Sequence, residues 1–309
     1  MSYSKADQGR TGQPELKRRP AWLRALGHAE PPETVEAQNQ TWSRVRIYKH
    51  DAFAATALYR DESGEQIVVK FCRTSPAFGV PFAWLGRHLS NKEQRFHERL
   101  DGLSGVPDAI DGITANGQAL PNAFGRVYVP GKPLQAGDTP DDAFFPDLAQ
   151  LLDEVHARGV AIIDLNKADN IIVDLEGRPH LVDFQLSAMR GEGFPRGTRL
   201  GRRWFASHQR ADRYHLTKHW LRLRPDQLAN DPPDLDALRP LASKLLRRFW
   251  RPVILLRRRL LVLLGVRQGP GTADTEHPAE ASLEPVILMT EPPAPRVPRP
   301  ADPKPLETS

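Results

Sequence analysis

The chain contains one cysteine, Cys72, among its 309 residues. A single cysteine cannot close an intramolecular disulfide, so the sequence excludes the disulfide-stapled class of small secreted domains. The polar segment 1–20 also lacks the apolar stretch of a secretory signal peptide. Together these two absences predict a cytoplasmic protein.

Long apolar runs are missing as well. No stretch approaches the roughly 20 apolar residues that a membrane-spanning helix needs. The 10 histidines are scattered, so no cluster with the spacing of metal ligands stands out, and no internal repeat is visible. A chain of this length is sufficient for one two-lobed core with tails beside it.

Positive charge, by contrast, is concentrated in one region. Residues 191–267 hold 18 lysines and arginines against 6 acids, although the net charge of the whole chain is only +5. The densest part, 244–264, combines arginines with Phe249, Trp250 and many leucines. It predicts either an interfacial helix on an anionic membrane surface or closing helices of a folded lobe. The expected partner is such a surface or a phosphorylated glycolipid, whereas nucleic acid is not expected.

Two short apolar strands carry polar residues at their ends. Asp164 lies on a loop, Asn170 opens the strand 171–173, and Asp183 ends the next strand. Phosphoryl transfer from ATP needs a carboxylate to accept the proton of the attacking hydroxyl. It also needs an amide oxygen and a second carboxylate to hold Mg²⁺ on the phosphates. Taken alone, the pattern equally fits a hairpin whose Asn and Asp serve its turns.

A predicted helix directly precedes this loop and supports the first interpretation. Pro146 suits its first turn and Gly159 its end. Four apolar residues follow helical spacing between them: Leu148, Leu151, Leu152 and Val155.

Upstream, a strand at 66–73 carries Lys70, and a helix at 90–100 carries Glu93. We expect these two side chains to form an ion pair that organises a nucleotide site. Three alternatives stay open: Lys70 as an edge-strand lysine, Glu93 as a cap for Ser90 of its own helix, and Glu98 as the true partner.

Strands at 43–48 and 56–60 predict a hairpin in front of the Lys70 strand. Its connection, 49–55, contains no glycine, although Ala52, Ala54 and Ala55 keep it small and Phe53 supplies an aromatic tip. Further along, 124–134 reads as a strand that leads into a hinge between two lobes.

The order of these parts over residues 43–225 resembles the protein-kinase-like superfamily. Within it, the chain is similar to small bacterial RIO-like kinases and lipopolysaccharide-core (Kdo) kinases. The resemblance implies an α+β bilobal fold with a small β-rich N-lobe, a mainly helical C-lobe and disordered tails. It implies ATP and Mg²⁺ as cofactors and a hydroxyl as the phosphate acceptor.

The resemblance also implies a role for each site residue. Asp164 would accept the acceptor's proton, with Lys167 at the γ-phosphate. Lys70, fixed by Glu93, would clamp the α- and β-phosphates. The remaining nucleotide contacts would come from Phe53, Ala54, Tyr128 and Val129, and the metal ligands would be Asn170 and Asp183.

The chain departs from the family pattern at several positions. Ile162 and Ile163 replace the usual His-Arg before Asp164, and Gln185 replaces a glycine. The loop to Asn170 is one residue longer than in kinases, which leaves Asn166 and Asp169 as alternative metal ligands. The Ala-Pro-Glu anchor of regulated protein kinases is missing after Asp183.

We therefore expect four segments: a mostly disordered 1–40, an N-lobe with hinge at 41–134, a C-lobe at 135–267 and a disordered Pro-rich tail at 268–309. The expected activity is phosphate transfer to a glycolipid or to a protein Ser/Thr. The expected location is the cytoplasm, extending to the inner face of the cytoplasmic membrane. The alternatives are a pseudokinase scaffold that binds nucleotide, and a peripheral membrane adaptor.

Overall fold

The computed structural model of the chain describes residues 20–76, 81–192, 197–230 and 233–238. The predictions for 244–264 and for the tail at 268–309 lie outside the described residues, as does the first half of 1–40.

The N-lobe is built on one antiparallel sheet of eight strands. The strands in chain order are β1 Thr34–Ala37, β2 Gln40–His50, β3 Ala54–Arg60, β4 Gln66–Cys72, β5 Ala109–Ile110, β6 Thr114–Ala115, β7 Gln118–Ala119 and β8 Ala123–Val127. Their order across the sheet is β5-β8-β4-β3-β2-β1-β6-β7. The central strands β3 and β4 are buried along nearly their whole length, and one face of the sheet packs in a core around Trp42, Tyr59 and Phe71.

The ordered N-lobe begins before the predicted boundary at residue 41. A short 3-10 helix, Ala21–Leu23, is followed by β1, which pairs with β2 and with β6. Val35 and Ala37 of β1 are buried in the lobe's core. The strand is short and its alternation is brief, so its apolar residues gave little signal in the sequence.

Helix α1, Ala83–Leu100, packs against this sheet and begins seven positions before the predicted start at Ser90. Ser90 therefore lies inside the helix, where its hydroxyl donates to the Ala123 carbonyl at 2.8 Å. The interpretation of Ser90 and Glu93 as a helix cap is wrong. Gly86 allows the close approach, because a Cβ there would lie 2.2 Å from the Arg73 carbonyl oxygen.

The C-lobe combines short strands with helices. Strands β9 Gly131–Pro133, β11 Ile171–Asp174 and β12 Pro179–Leu181 form one antiparallel sheet, and β10 Val160–Ala161 pairs with β13 Ala188–Met189. The helices are α2 Phe144–Ala157, α3 Arg199–Leu223 and the single turn α4 Leu235–Leu238. Helix α2 matches its predicted position and buries the four residues that predicted it.

The two lobes are joined by a short crossing. Strand β8 belongs to the eight-stranded sheet of the N-lobe and β9 to the three-stranded sheet of the C-lobe, so the chain passes from one lobe to the other at Tyr128–Pro130. The predicted α+β, two-lobed architecture is confirmed over the described residues, and the mainly helical C-lobe is confirmed only in part. Among these residues, no helix is long and apolar enough to span a membrane.

Candidate active site

Three charged side chains meet where the two lobes face each other. The Lys70 ammonium on β4 donates to both carboxylate oxygens of Glu93 at 2.9 Å and to Oδ1 of Asp183 at 2.8 Å. Lys70 and Glu93 are buried, and the Asp183 side chain is 27% exposed. The structure thus contains the predicted Lys70–Glu93 pair. Glu98 instead accepts from Gln94, so it is not the partner.

The charges of this group shift its pKa values. Burial alone lowers the pKa of Lys70, but the Asp183 and Glu93 carboxylates raise it well above its ordinary value. Burial alone raises the pKa of Asp183, but Lys70 first and Lys49 second hold it well below its ordinary range. The lowered pKa favours the anionic form of Asp183, which is the form that a metal ligand requires.

The catalytic-loop candidates lie on the C-lobe side of the cleft. Lys167 Nζ donates to Oδ2 of Asp164 at 2.5 Å. Burial lowers the pKa of Lys167, but the hydrogen bond and charge of Asp164, and then the charge of Asp183, raise it above the ordinary value. The loop and the end of the second strand are thus brought together, as the sequence predicts.

Asn170 is the buried member of the three metal-ligand alternatives. Its Nδ2 donates to the Asp164 carbonyl at 3.2 Å. This bond fixes the amide by its nitrogen, and the Oδ1 oxygen is the atom that can ligate a cation. Asn166 and Asp169 are both exposed. The fixed amide favours Asn170 over these two.

An acid that the sequence pattern does not single out anchors this loop. Asp212, fully buried on α3, accepts from the backbone N–H of Ile162 at 2.8 Å and of Ile163 at 2.9 Å. His156 Nε2 lies 3.1 Å from the same carboxylate. Asp212 is the one acid in a 25-residue basic helix, and this was the signal that could have identified it.

Two non-glycine residues in the left-handed backbone region flank the site. Ile163, directly before Asp164, has φ 63°, and Asp183 has φ 65°. This conformation is costly for a β-branched residue and persists only where the surroundings enforce it. At Ile163 the Asp212 carboxylate supplies that restraint through the backbone N–H. Such conformations cluster at active sites, which fits the position of both residues.

The residue after Asp183 fixes this strand end to the N-lobe. Phe184 is fully buried and meets the His97 ring edge-on at 5.2 Å between ring centroids. His97, on α1, also packs on Phe124 of β8. Burial lowers the pKa of His97 to about 3, so it is a neutral packing residue. These contacts couple the position of α1, and hence of Glu93, to that of Asp183.

The hairpin between β2 and β3 is tighter than the predicted loop at 49–55. Only three residues, Asp51–Phe53, connect the strands. The Asp51 carboxylate accepts from the N–H groups of Phe53 at 2.7 Å and Ala54 at 2.9 Å. Phe53 is exposed and Ala54 is buried. The backbone donors of these two residues are engaged, and their contact with a nucleotide stays a prediction.

The hinge residues belong to two small apolar clusters. Tyr128 packs with Tyr48, Leu58 and Val68 of the N-lobe. Val129 packs with Ile172 and Val182 of the C-lobe. A flat aromatic base needs apolar surfaces above and below it and backbone polar groups at its edge. The crossing between the lobes has an apolar cluster on each side, and the contact of Tyr128 and Val129 with adenine stays a prediction.

A cavity of about 420 Å³ borders the same hinge. Its lining includes Tyr128, Val129 and the turn between β11 and β12, but none of Lys70, Asp164 or Asp183. The cavity is therefore adjacent to the hinge and separate from the charged residues of the cleft.

The residues present fit a Mg²⁺ that is shared with phosphates. Mg²⁺ is commonly bound through one or two carboxylates plus substrate phosphates and water. Asp183 and Asn170 supply a carboxylate and an amide oxygen. In the described part of the chain, no group of three or more His, Cys, Asp and Glu side chains is arranged to hold a metal by itself.

No protein-family model matches the chain, and no curated protein matches it. Among solved structures, it is similar to the Rio2 kinase from Chaetomium thermophilum, with 20% identity, a TM-score of 0.42, and coverage of 58% of this chain and 56% of that one. It is also similar to the Rio2 kinase-ADP/Mg²⁺-phosphoaspartate complex from the same organism, with 20% identity, a TM-score of 0.43, and coverage of 62% and 59%. The chain thus spans less than two thirds of both. The description of the two lobes and of the candidate site rests on the chain's own elements and contacts.

Proposed function

We propose that the protein is an ATP-dependent phosphotransferase that transfers the γ-phosphate to a hydroxyl group. The observation that carries the proposal is the contact of Lys70 with both Glu93 and Asp183 across the lobe boundary. The turn chemistry of a hairpin with polar ends does not explain a buried ammonium that lies between two carboxylates from other elements. A site that binds phosphates and a cation does explain it, because such a site needs a fixed ammonium next to a carboxylate.

In this proposal, binding of ATP redistributes the contacts of Lys70. The ammonium keeps Glu93 and exchanges its contact with Asp183 for the phosphate chain. Asp183 and Asn170 would hold a Mg²⁺ ion, which would supply positive charge against the phosphate oxygens. Asp164 orients the acceptor hydroxyl and accepts its proton. Lys167, already bonded to Asp164, stabilises the negative charge of the transferring group.

The proposal names the phosphate acceptor first as a chemical group and then as a class of molecule. A hydroxyl acceptor follows from the position of Asp164 as the base. A glycolipid at a membrane surface is the narrower candidate, supported by the basic region of the sequence and by the missing Ala-Pro-Glu segment. A protein serine or threonine is the other candidate. The Rio2 neighbour in complex with ADP and Mg²⁺ is in keeping with the nucleotide and metal proposed here.

One observation favours a second candidate, a scaffold that binds nucleotide without turnover. The Asp51 carboxylate engages the hairpin amides that a glycine-rich loop would offer to phosphates. The two candidates share nucleotide binding and differ in transfer.

The experiment compares the wild-type protein with Asp183→Asn and Asp164→Asn. Mg²⁺-dependent binding of ATP is measured by thermal shift, and transfer from labelled ATP is followed into lipid and protein fractions of a lysate. We expect wild-type transfer and a loss of at least about a hundredfold in either variant, since each removes a charge used in the reaction. Binding without transfer would support the scaffold, and absence of Mg²⁺-dependent binding would exclude both.

A further inference from the structure

Three side chains form a row on one face of the N-lobe sheet. Strand pairing places Lys49 of β2 opposite Thr56 of β3, and Thr56 opposite Lys70 of β4. Directly paired residues of antiparallel strands project their side chains to the same face. Lys70 reaches Asp183 from this face. Lys49 and Thr56 therefore project toward the cleft as well.

Thr56 is unusual because its side chain is buried without a partner. The residue is only 3% exposed, and its hydroxyl makes no hydrogen bond within the described residues. A buried hydroxyl left unpaired costs about 1–3 kcal/mol, and such groups are uncommon in folded proteins. A valine has nearly the same shape and would avoid this cost. Packing alone therefore does not explain a threonine here.

Lys49 places a second cation on the face of the sheet that carries Lys70, on the other side of Thr56. The Lys49 ammonium lies 3.8 Å from Oδ2 of Asp51, which is close enough for an ion pair and too long for a hydrogen bond. The other oxygen of Asp51 already accepts the N–H groups of Phe53 and Ala54. The Lys49 ammonium thus keeps donors for an anion in the cleft.

The hairpin itself offers few backbone donors to such an anion. In a glycine-rich loop, exposed backbone N–H groups surround the phosphates. Here Asp51 engages two of the N–H groups at the tip, and the residues of the turn carry side chains in place of glycine. A phosphate chain under this hairpin therefore needs hydrogen-bond donors from side chains. Lys49 of β2 and Thr56 of β3 carry such donors on the face of the sheet that faces the cleft.

We propose that Lys49 and Thr56 bind the β- and γ-phosphates of the nucleotide through their side chains, in place of the backbone donors of a glycine-rich loop. Together with Lys70 they form one line of donors, with a cation at each end and a hydroxyl in the middle. The inference rests on the proposed nucleotide-binding function and extends it to two side chains on the strands of the hairpin.

The test measures affinity for Mg²⁺-ATP, Mg²⁺-ADP and adenosine by calorimetry on the full chain. The variants are Thr56→Val and Lys49→Gln, with Thr56→Ser as the conservative substitution that keeps the hydroxyl. Lys132→Gln, an exposed lysine on β9, is the control for charge. We expect Thr56→Val and Lys49→Gln each to weaken ATP binding about tenfold, as loss of a hydrogen bond to a charged group does. Adenosine affinity should stay the same, and Thr56→Ser and Lys132→Gln should bind ATP as the wild type does.

Three outcomes would overturn the inference. Thr56→Val that melts higher and binds ATP like the wild type would mean that the hydroxyl is only an unpaired core group. Equal losses for adenosine and ATP would place the effect on the fold of the hairpin and not on phosphate. If the wild-type protein binds none of the three ligands, both the proposed function and the role of Lys49 and Thr56 are wrong. If it binds ATP and neither variant changes the affinity, only the role of Lys49 and Thr56 is wrong.

Discussion

Asp183 occupies a backbone conformation that few residue types tolerate. Its φ of 65° lies in the left-handed region, where Asp and Asn are enriched and alanine is strained. Asp183→Asn therefore removes the charge and preserves the backbone. Any defect of this variant reports on the carboxylate, which is not true of Asp183→Ala.

The first prediction concerns acid stability. Because the folded pKa of Asp183 lies below its ordinary value of 3.8, its charge stabilises the fold above about pH 4. This contribution is lost as the pH falls through the folded pKa. We expect Asp183→Asn to lower the free energy of unfolding by about 1–3 kcal/mol at pH 7, and the difference from the wild type to shrink below about pH 4. Urea denaturation at several pH values measures it. A difference that grows in acid would contradict the ion pair with Lys70.

The second prediction concerns the ion pair of Lys70 and Glu93. Both side chains are buried. Removal of Lys70 leaves Glu93 as an unpaired buried charge and costs about 3–5 kcal/mol, whereas Glu93→Gln leaves Lys70 its contact with Asp183 and costs less. In a double-mutant cycle with Lys70→Met and Glu93→Gln, the two losses should be strongly non-additive. Glu98→Gln is the control, since Glu98 contacts Gln94 on the exposed side of α1. Additive losses for Lys70 and Glu93 would show that the contact contributes little.

At the scale of elements, α3 positions the catalytic loop through one side chain. Asp212 holds two successive backbone N–H groups, and one of them belongs to the strained Ile163. We expect Asp212→Asn to destabilise the protein by about 2–4 kcal/mol, because an amide nitrogen would face a backbone donor. Below its melting temperature, kcat should fall more than the affinity for ATP. Asp153→Asn, an exposed acid paired with Arg213, is the matched control. Equal losses in kcat and affinity would argue against a positioning role.

The hairpin is held from outside by one arginine. Arg73, buried beyond the end of β4, donates to carbonyl oxygens of Ala52 at 2.6 Å, Ser75 at 2.9 Å, Trp22 at 3.1 Å and Pro76 at 3.3 Å. It thereby fastens the hairpin tip to the N-terminal segment and to the chain before α1.

The fourth prediction follows from these contacts. Arg73→Gln should lower the free energy of unfolding by about 2–4 kcal/mol and speed hydrogen exchange at Asp51–Ala54. Arg60→Gln, an exposed arginine at the far end of β3, should change neither. Unchanged exchange at the tip in Arg73→Gln would mean that the hairpin is rigid on its own.

The sequence predicts those elements whose residues repeat with a clear period or occupy a known spacing. Helix α2 and the strand of Lys70 are of this kind, whereas the strand predicted to end at Asp183 ends at Leu181. The sequence did not predict the start of α1 at Ala83, because Ser90 and Glu93 have the spacing of a helix cap. In the structure the Ser90 hydroxyl donates to the Ala123 carbonyl, and Glu93 accepts from Lys70. The sequence also missed Asp212, Arg73 and Thr56. Each of them makes a contact with a residue far away in the sequence: Asp212 with Ile162, Arg73 with Ala52 and Thr56 with Lys70. No local pattern records such contacts.

At the scale of the whole molecule, positive charge is gathered at one end of the chain. Helix α3 begins with Arg199, Arg202 and Arg203, and all three are exposed together with Leu200 and Trp204. Basic residues at a helix N-terminus oppose the helix dipole, so they do not serve the stability of α3. The sequence continues this composition through 244–264, outside the described residues.

The last prediction is that the protein binds anionic bilayers. Each basic residue near such a surface contributes about 1 kcal/mol, and the attraction weakens with salt. We expect co-sedimentation with acidic liposomes at low salt and its loss at high salt. Replacement of Arg257, Arg258 and Arg259 by Gln should reduce binding without lowering the melting temperature. If the triple variant melts early and the wild type ignores acidic liposomes, the segment serves the fold. A protein serine or threonine then becomes the better candidate for the phosphate acceptor, because the glycolipid candidate depends on a membrane surface within reach of Asp164.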